Sequence, residues 1–87
     1  MNTLFRDGVS LAETDDGITL LDEKSGIYWG LNGSAAVALR ELAATGSLAA
    51  AAAAVAAKYD VGTPDAERDI RALLDELRSA ALLADPA

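Results

Sequence analysis

The stretch that decides the fold runs from residue 17 to residue 32 and reads GITLLDEKSGIYWGLN. It contains two β-rich runs, Ile18 to Asp22 and Ile27 to Leu31, which flank residues 23–26. The intervening Glu-Lys-Ser-Gly sequence is typical of a hairpin turn, because its glycine readily adopts a positive φ. The stretch therefore predicts two antiparallel strands joined by a tight turn.

A third strand is predicted before this hairpin. Val9 to Glu13 alternates apolar with small or polar residues, and Asp15-Asp16-Gly17 is a turn signal. A small antiparallel sheet is the simplest arrangement of the three runs. Side chains alternate along its last strand, so two faces are expected: Ile27, Trp29 and Leu31 on one, and Tyr28 and Gly30 on the other.

Three helices are predicted after the strands. Asn32 or Ser34 can cap the first helix, and Gly46 is suited to end it. Ser47 can cap a second, alanine-rich helix. Pro64 suits the first position of a third helix. The order of elements predicts one α+β domain over residues 1–87, with its core at about residues 9–83.

The predicted third helix has an apolar face between two different flanks. At 100° per residue, the apolar face contains Ile70, Leu73, Leu74, Leu77 and Ala81.

One flank of this helix carries Arg71 and Arg78, and the other carries Asp69 and Glu76. The acidic flank includes the small residue Ala66, which leaves room for a segment to lie against the helix. Charged residues on a helix also commonly form ordinary i, i+4 pairs on a solvated face. The pattern alone leaves both explanations open.

Composition excludes several classes of function. The 87 residues contain no cysteine and no histidine, and the net charge is -7. Such a chain lacks thiol chemistry and is a poor match for a phosphate backbone. The paired carboxylates at 15–16 and 22–23 lie at turns, so no catalytic residue, metal or cofactor is predicted. The longest apolar run, residues 48–57, is too short for a bilayer that needs roughly 20 residues. Residues 1–7 lack a secretion signal, so we expect a cytoplasmic protein without a membrane partner.

Several motifs in order carry a family resemblance. They are Leu21-Asp22, the Gly-x-Tyr-Trp-x-Leu-Asn pattern at Gly26 to Asn32, the sequence Lys-Tyr-Asp-Val at 58–61, and Asp69-Ile70. Together they resemble the PqqD-like family of peptide-recognition domains, and in particular the stand-alone B1 proteins of lasso-peptide biosynthesis. The resemblance covers about residues 9–83.

This resemblance implies a winged helix-turn-helix fold that binds the leader segment of a ribosomally made precursor peptide. The leader is expected to add a strand beside the third strand and to lie in the groove between that strand and the third helix. Implied partners are a B2-type leader peptidase, which is cysteine-protease-like, and an ATP-dependent lasso cyclase. Ala81 stands where related chains often have glycine, so we expect the third helix to run on rather than turn.

The candidate peptide-binding residues come from the third strand and the third helix. The strand contributes Ile27, Tyr28, Trp29, Gly30 and Leu31, and the helix contributes Ala66, Asp69, Ile70, Leu73, Glu76 and Leu77. Arg71, Leu74 and Arg78 are the candidates if the other flank faces the groove. The periodic apolar positions are equally well explained as core. A basic leader with apolar anchors is expected to suit these residues.

Three alternative functions remain open. One is a PqqD-type peptide chaperone in a radical-enzyme pathway. Another is a DNA-binding winged helix, although residues 65–78 contain five acidic residues and three arginines. The last is a carrier protein, which needs a serine after an aspartate at a helix start. Neither Ser34 nor Ser47 follows an aspartate.

Overall fold

The structure is a computed structural model that describes residues 4–84 of the chain. It contains three strands followed by three helices, which confirms the predicted α+β, winged-helix arrangement. The strands are β1 (Val9–Thr14), β2 (Gly17–Asp22) and β3 (Ile27–Asn32). The helices are α1 (Gly33–Thr45), α2 (Leu48–Tyr59) and α3 (Thr63–Ser79). None of these helices is both long enough and apolar enough to span a membrane.

The sheet is antiparallel, with β2 between β1 and β3. Leu20 at its centre pairs with Leu11 of β1 and with Trp29 of β3. The β2–β3 turn contains Gly26 at a φ of 76°, as the hairpin motif predicts. Within residues 4–84 both outer strands keep one edge without a neighbouring strand.

The core consists of two apolar clusters. The sheet cluster joins the sheet to the helices and contains Phe5, Ile18, Leu20, Ala36, Leu39, Leu77 and Leu82. The helix cluster lies among the three helices and contains Ala38, Ala51, Ala52, Val55, Ala66 and Ile70. Full burial of each large apolar side chain contributes roughly 1.5–3 kcal/mol to stability. The alanines of the helix cluster let the helices approach one another closely.

The first two helices begin with the predicted side-chain caps. The Asn32 carboxamide oxygen accepts the Ala35 N–H at 3.0 Å, so the capping residue of α1 is Asn32. The Ser47 hydroxyl accepts the Ala50 N–H at 3.0 Å at the start of α2. Each bond satisfies an N–H group that has no partner inside its helix.

The end of α3 turns sharply, which corrects the expectation that Ala81 would let the helix run on. Ala81 adopts a φ of 60°, in the left-handed region. The Leu82 N–H donates to the Leu77 C=O, and the Ala81 N–H donates to the Arg78 C=O, both at 3.0 Å. These two bonds form a Schellman motif. The buried pair Leu77 and Leu82 accompanies it and outweighs the cost of placing alanine in a left-handed conformation.

The segment after α3 pairs with the segment before β1. Phe5 and Leu83 form an antiparallel bridge. The Arg6 N–H donates to the Leu82 C=O at 3.1 Å, and the Ala84 N–H donates to the Leu4 C=O at 2.9 Å. The two ends of the described chain are thereby joined beside the sheet cluster.

We predict that Ala81→Gly stabilises the protein. Glycine adopts positive φ without the Cβ clash, so the free energy of unfolding should rise by about 1 kcal/mol and Tm by roughly 4–8 °C. Thermal and urea unfolding would measure the change. The control is Ala80→Gly, because Ala80 has a φ of -81° and needs no glycine. That control should be destabilised by about 0.5–1 kcal/mol. A loss of stability in both variants would contradict the inference that the backbone of Ala81 is strained.

Candidate functional site

A groove of about 380 Å³ lies between β3 and α3. In the described part of the chain, no Cα atom of β3 lies within 8 Å of a Cα atom of α3, so the two elements are separate walls. The strand contributes Gly30, Leu31 and Asn32 to the lining. The first two helices contribute Ser34, Ala35, Ala38 and Val55. The third contributes Ala66, Asp69, Ile70, Ala72, Leu73 and Glu76. A depression lined by both apolar and polar groups therefore lies beside the free edge of the sheet.

The acidic flank of α3 faces this groove. Seven of the residues predicted as peptide-binding line it, namely Gly30, Leu31, Ala66, Asp69, Ile70, Leu73 and Glu76. The alternative flank does not. Arg71 pairs with Glu67 at 2.9 Å and Arg78 pairs with Asp75 at 3.1 Å. Leu74 packs against the helix cluster.

The remaining candidates lie outside the groove lining. Leu77 is buried in the sheet cluster. Trp29 is half-buried and packs against the same cluster, whereas Tyr28 is 68% exposed. Ile27 is 53% exposed at the start of β3. As strand alternation predicts, the two adjacent aromatic residues occupy opposite faces, and Trp29 is the one on the core side.

The register of the sheet determines which main-chain groups of β3 are free. The Glu23 N–H donates to the Gly8 C=O at 2.8 Å, so Glu23 directs its main-chain groups toward β1. Successive residues of a strand direct these groups to opposite sides. Leu20 is three residues before Glu23, so it directs its groups the other way, toward its β3 partner, Trp29. The neighbouring Gly30 therefore directs its N–H and C=O to the open edge. These groups can bond to an added strand.

The groove is electronegative. Neither Asp69 nor Glu76 has an ion-pair partner among residues 4–84. The five arginines are instead paired with other carboxylates: Arg6 with Asp22, Arg40 with Glu13, Arg68 with Asp65, Arg71 with Glu67, and Arg78 with Asp75. Unpaired carboxylates beside an apolar surface favour a cationic ligand.

Arg6 connects the end of α3 to the sheet near one end of the groove. Its guanidinium donates to the Asp22 carboxylate at 2.9 Å and to the Ala81 C=O. Asp22 ends β2 and pairs with Ile27, the first residue of β3. We call this set of contacts the Arg6 bridge. It holds the end of α3 close to the hairpin that carries β3.

The Asp22 carboxylate is strongly hydrogen-bonded. Burial of the side chain raises its pKa, but hydrogen bonds from the Arg6 guanidinium, the Lys24 N–H and the Ser25 hydroxyl lower it, as does the positive charge of Arg6. The pKa of Asp22 is therefore below its ordinary value of 3.8. The charged form of this residue stabilises the hairpin and the Arg6 bridge together.

Sequence reasoning missed the contribution of α1 and α2 to the groove. Asn32, Ser34 and Ala35 reach the lining because α1 follows β3 without a connecting loop. That adjacency is visible in the sequence and could have indicated them. Ala38 and Val55 enter the lining through helix packing, for which periodicity gives no signal.

The site offers surfaces for binding. Among residues 4–84, no three carboxylate, imidazole or thiol side chains converge as a metal site would require. The groove combines a free strand edge, an apolar wall and two unpaired carboxylates. This combination suits an extended peptide that carries apolar and basic side chains.

Comparisons with known proteins identify related chains. The family model for coenzyme PQQ synthesis protein D (PqqD) matches residues 17–83. A solved lasso peptide synthetase B1, complexed with its leader peptide, is 40% identical, with a TM-score of 0.83 over 93% of this chain and 95% of that one. TbiB1 in complex with the TbiA(beta) leader peptide is 32% identical, with a TM-score of 0.80 over 97% and 98% of the two chains. The search of curated proteins found no match.

We predict that acid weakens the protein partly through Asp22. A carboxyl with a lowered folded-state pKa stabilises the fold fully above its unfolded value, and this contribution is lost as pH falls through the folded value. Urea unfolding should show a fall in stability between about pH 4 and pH 2 that is steeper in the parent than in Asp22→Asn. Asp75→Asn, which removes a carboxylate from an exposed ion pair, is the control for the loss of one charge. Equal slopes in the parent and Asp22→Asn would contradict the role of Asp22.

Proposed function

The chain belongs to the PqqD family, and on that premise we propose that it captures the leader segment of a ribosomally made precursor peptide. It presents the bound precursor to the enzymes that process it. The observation that carries this proposal is the free edge at Gly30 beside a groove with unpaired Asp69 and Glu76. Two solved proteins of the same fold, with 40% and 32% identity, form complexes with leader peptides.

A lasso-peptide pathway is favoured over a radical-enzyme pathway of the PqqD type. The reason is the 40% identity with a lasso peptide synthetase B1 over 93% of the chain. In a lasso pathway the partners would be a B2-type leader peptidase and an ATP-dependent cyclase in the cytoplasm. The chain itself is an accessory binder, so a precursor incubated with this protein alone should keep its mass.

The proposed binding mode is addition of a strand to β3. The leader would bond to the outward N–H and C=O of Gly30, and main-chain bonds of this kind provide affinity without reading sequence. Alternate side chains of the leader would face the groove, where Leu31, Ile70 and Leu73 provide apolar contacts. Those contacts would select the apolar residues of the leader.

The two carboxylates add a requirement for positive charge. Asp69 and Glu76 are seven residues apart on one helix face, which separates them by about 10 Å along the axis. An extended chain advances roughly 7 Å in two residues and 13 Å in four. Lysine or arginine side chains two or four positions apart in the leader can therefore reach both carboxylates.

We predict that Gly30→Pro weakens leader binding. Proline lacks the N–H that bonds to the added strand, and one unsatisfied main-chain group costs about 1–3 kcal/mol, so Kd should rise about tenfold or more. Gly30→Ala is the matched control, because a Cβ at residue 30 meets nothing within 4 Å. It keeps the N–H, so its Kd should stay within about twofold of the parent. Calorimetric titration with the leader peptide would measure both values, after circular dichroism has verified folding. Equal affinities of two folded variants would contradict addition at this edge.

We also predict that Asp69→Asn weakens binding of a basic leader more than Asp75→Asn does. Both variants remove one negative charge from α3, but only Asp69 lines the groove, and Asp75 pairs with Arg78. At low salt the Kd of Asp69→Asn should rise about three- to tenfold, and the difference between variants should shrink as added salt shortens the screening length below about 8 Å. The parent should retain part of its affinity at high salt. If the two variants bind equally, the acidic flank does not face the leader.

A further inference from the structure

The first strand, β1, is exposed on both faces, although one face is directed toward the core. Leu11 is 39% exposed, whereas its partner Leu20 on β2 is completely buried. The strand therefore extends beyond the helices that cover the rest of the sheet. Only Val9, at its beginning, is partly buried.

A second groove of about 360 Å³ lies beneath this overhanging strand. It is on the edge of the sheet opposite the groove between β3 and α3, the proposed leader site, which we call the leader groove. Its lining is mainly apolar and includes Leu11, Leu39, Ala43 and Ala44. At the rim, Glu13 of β1 pairs with Arg40 of α1 at 2.8 Å.

The main chain of β1 is free along this groove. The Gly8 C=O accepts the Glu23 N–H, so Gly8 directs its main-chain groups toward β2. Every second residue does the same, so Ser10 and Ala12 also direct their main-chain groups toward β2. Leu11 and Glu13 therefore direct their N–H and C=O to the outer edge. A strand paired here would place the residue opposite Leu11 on the groove side, beside α1.

Unpaired carboxylates lie at both ends of β1. Among residues 4–84, Asp7 before the strand and Asp15 after it have no ion-pair partner. Two copies of this chain paired antiparallel about Leu11 would bring the turn that carries Asp7 close to the turn that carries Asp15 at each end, and neighbouring like charges are destabilising. The same carboxylates attract lysine or arginine. The charges thus favour a different, basic segment over a second copy.

We propose that the outer edge of β1 and the groove beneath it form a second strand-addition site, which takes an extended segment of a partner protein. The segment places an apolar side chain opposite Leu11 and a lysine or arginine opposite Glu13. Its ends carry further basic residues, which lie near the turns that contain Asp7 and Asp15. The two grooves lie at opposite edges of the sheet, so a peptide on β3 leaves this site open.

The test uses a synthetic probe, the nonapeptide Arg-Thr-Lys-Thr-Leu-Thr-Val-Ser-Lys, which matches this register antiparallel to β1. Titration into ¹⁵N-labelled protein should shift the amides of residues 9–14 and 39–44 most. Ala43→Gln fills the groove from an exposed helix position and should weaken the probe at least tenfold. Ala57→Gln, on an exposed position of α2 outside both grooves, should leave the affinity unchanged.

Three outcomes would overturn the proposal. The first is a footprint on residues 27–31 and 66–76, which would show that the probe prefers the leader groove. The second is the absence of amide shifts at about 5 mM peptide, above the range of even weak specific binding. The third is dimerisation of the protein without peptide, seen as a concentration-dependent mass in light scattering together with amide shifts in residues 9–14. That result would assign the edge to a second copy. These readouts involve no leader peptide, so they are independent of the proposed function.

Discussion

The position of α3 beside the sheet depends on how its C-terminal end is held, and the Arg6 bridge holds that end. The main chains of the two groove walls stay apart, because α3 packs closely against the other helices and no Cα atom of α3 lies within 8 Å of one of β3. On the sheet side, α3 contributes Leu77 to the sheet cluster and Leu73 packs against it, while the segment after the helix contributes Leu82. Arg6 adds a charge-assisted bond to Asp22 and a bond to the Ala81 C=O, which joins both walls at one point. Loss of one member of such a partly buried pair leaves the other without its partner, so the bridge is sensitive to either end.

The distribution of charge separates recognition from stability. Every arginine is used in an ion pair within the described chain, and four of the five pairs are largely exposed and contribute little energy. Their effect is to neutralise the carboxylates that they contact. The carboxylates that remain unpaired then define the potential, and two of them, Asp69 and Glu76, face the leader groove. A surface of this kind repels nucleic acid and attracts a basic peptide.

The strands and helices were predictable because each depends on local periodicity and capping. The hairpin motif at residues 17–32 predicted β2 and β3, and the capping residues Asn32 and Ser47 predicted where two helices begin. The end of α3 was not predictable from local preference. Alanine disfavours positive φ, but burial of Leu82 in the sheet cluster compensates for the unfavourable conformation of Ala81. Tertiary packing thus overrode the local signal.

The candidate site was only partly predictable, because periodicity defines the faces of a helix but not its rotation within the fold. The sequence showed that Asp69 and Arg71 lie on different flanks of α3. Which flank faces β3 depends on the packing of Ile70 against the helix cluster, a long-range contact. The exposure of β1 was unpredictable for the same reason: its alternating pattern does not reveal that the last turns of α1 place the small residues Ala43 and Ala44 in the groove beneath Leu11.

The alanine-rich helix α2 also fixes the position of α3, because it packs against that helix. Ala51 and Ala52 of α2 are fully buried beside Ala38 of α1 and Ala66 of α3, so small side chains make up much of the contact among the three helices. Larger side chains there would overpack the cluster and displace α3, at a typical cost of about 1–3 kcal/mol. The alanine contacts and the Arg6 bridge therefore fix the same helix from two directions. Residues on its groove face, such as Asp69 and Glu76, are exposed and can change without disturbing either constraint. A scaffold built in this way can change the charge of its groove face while both constraints on α3 remain.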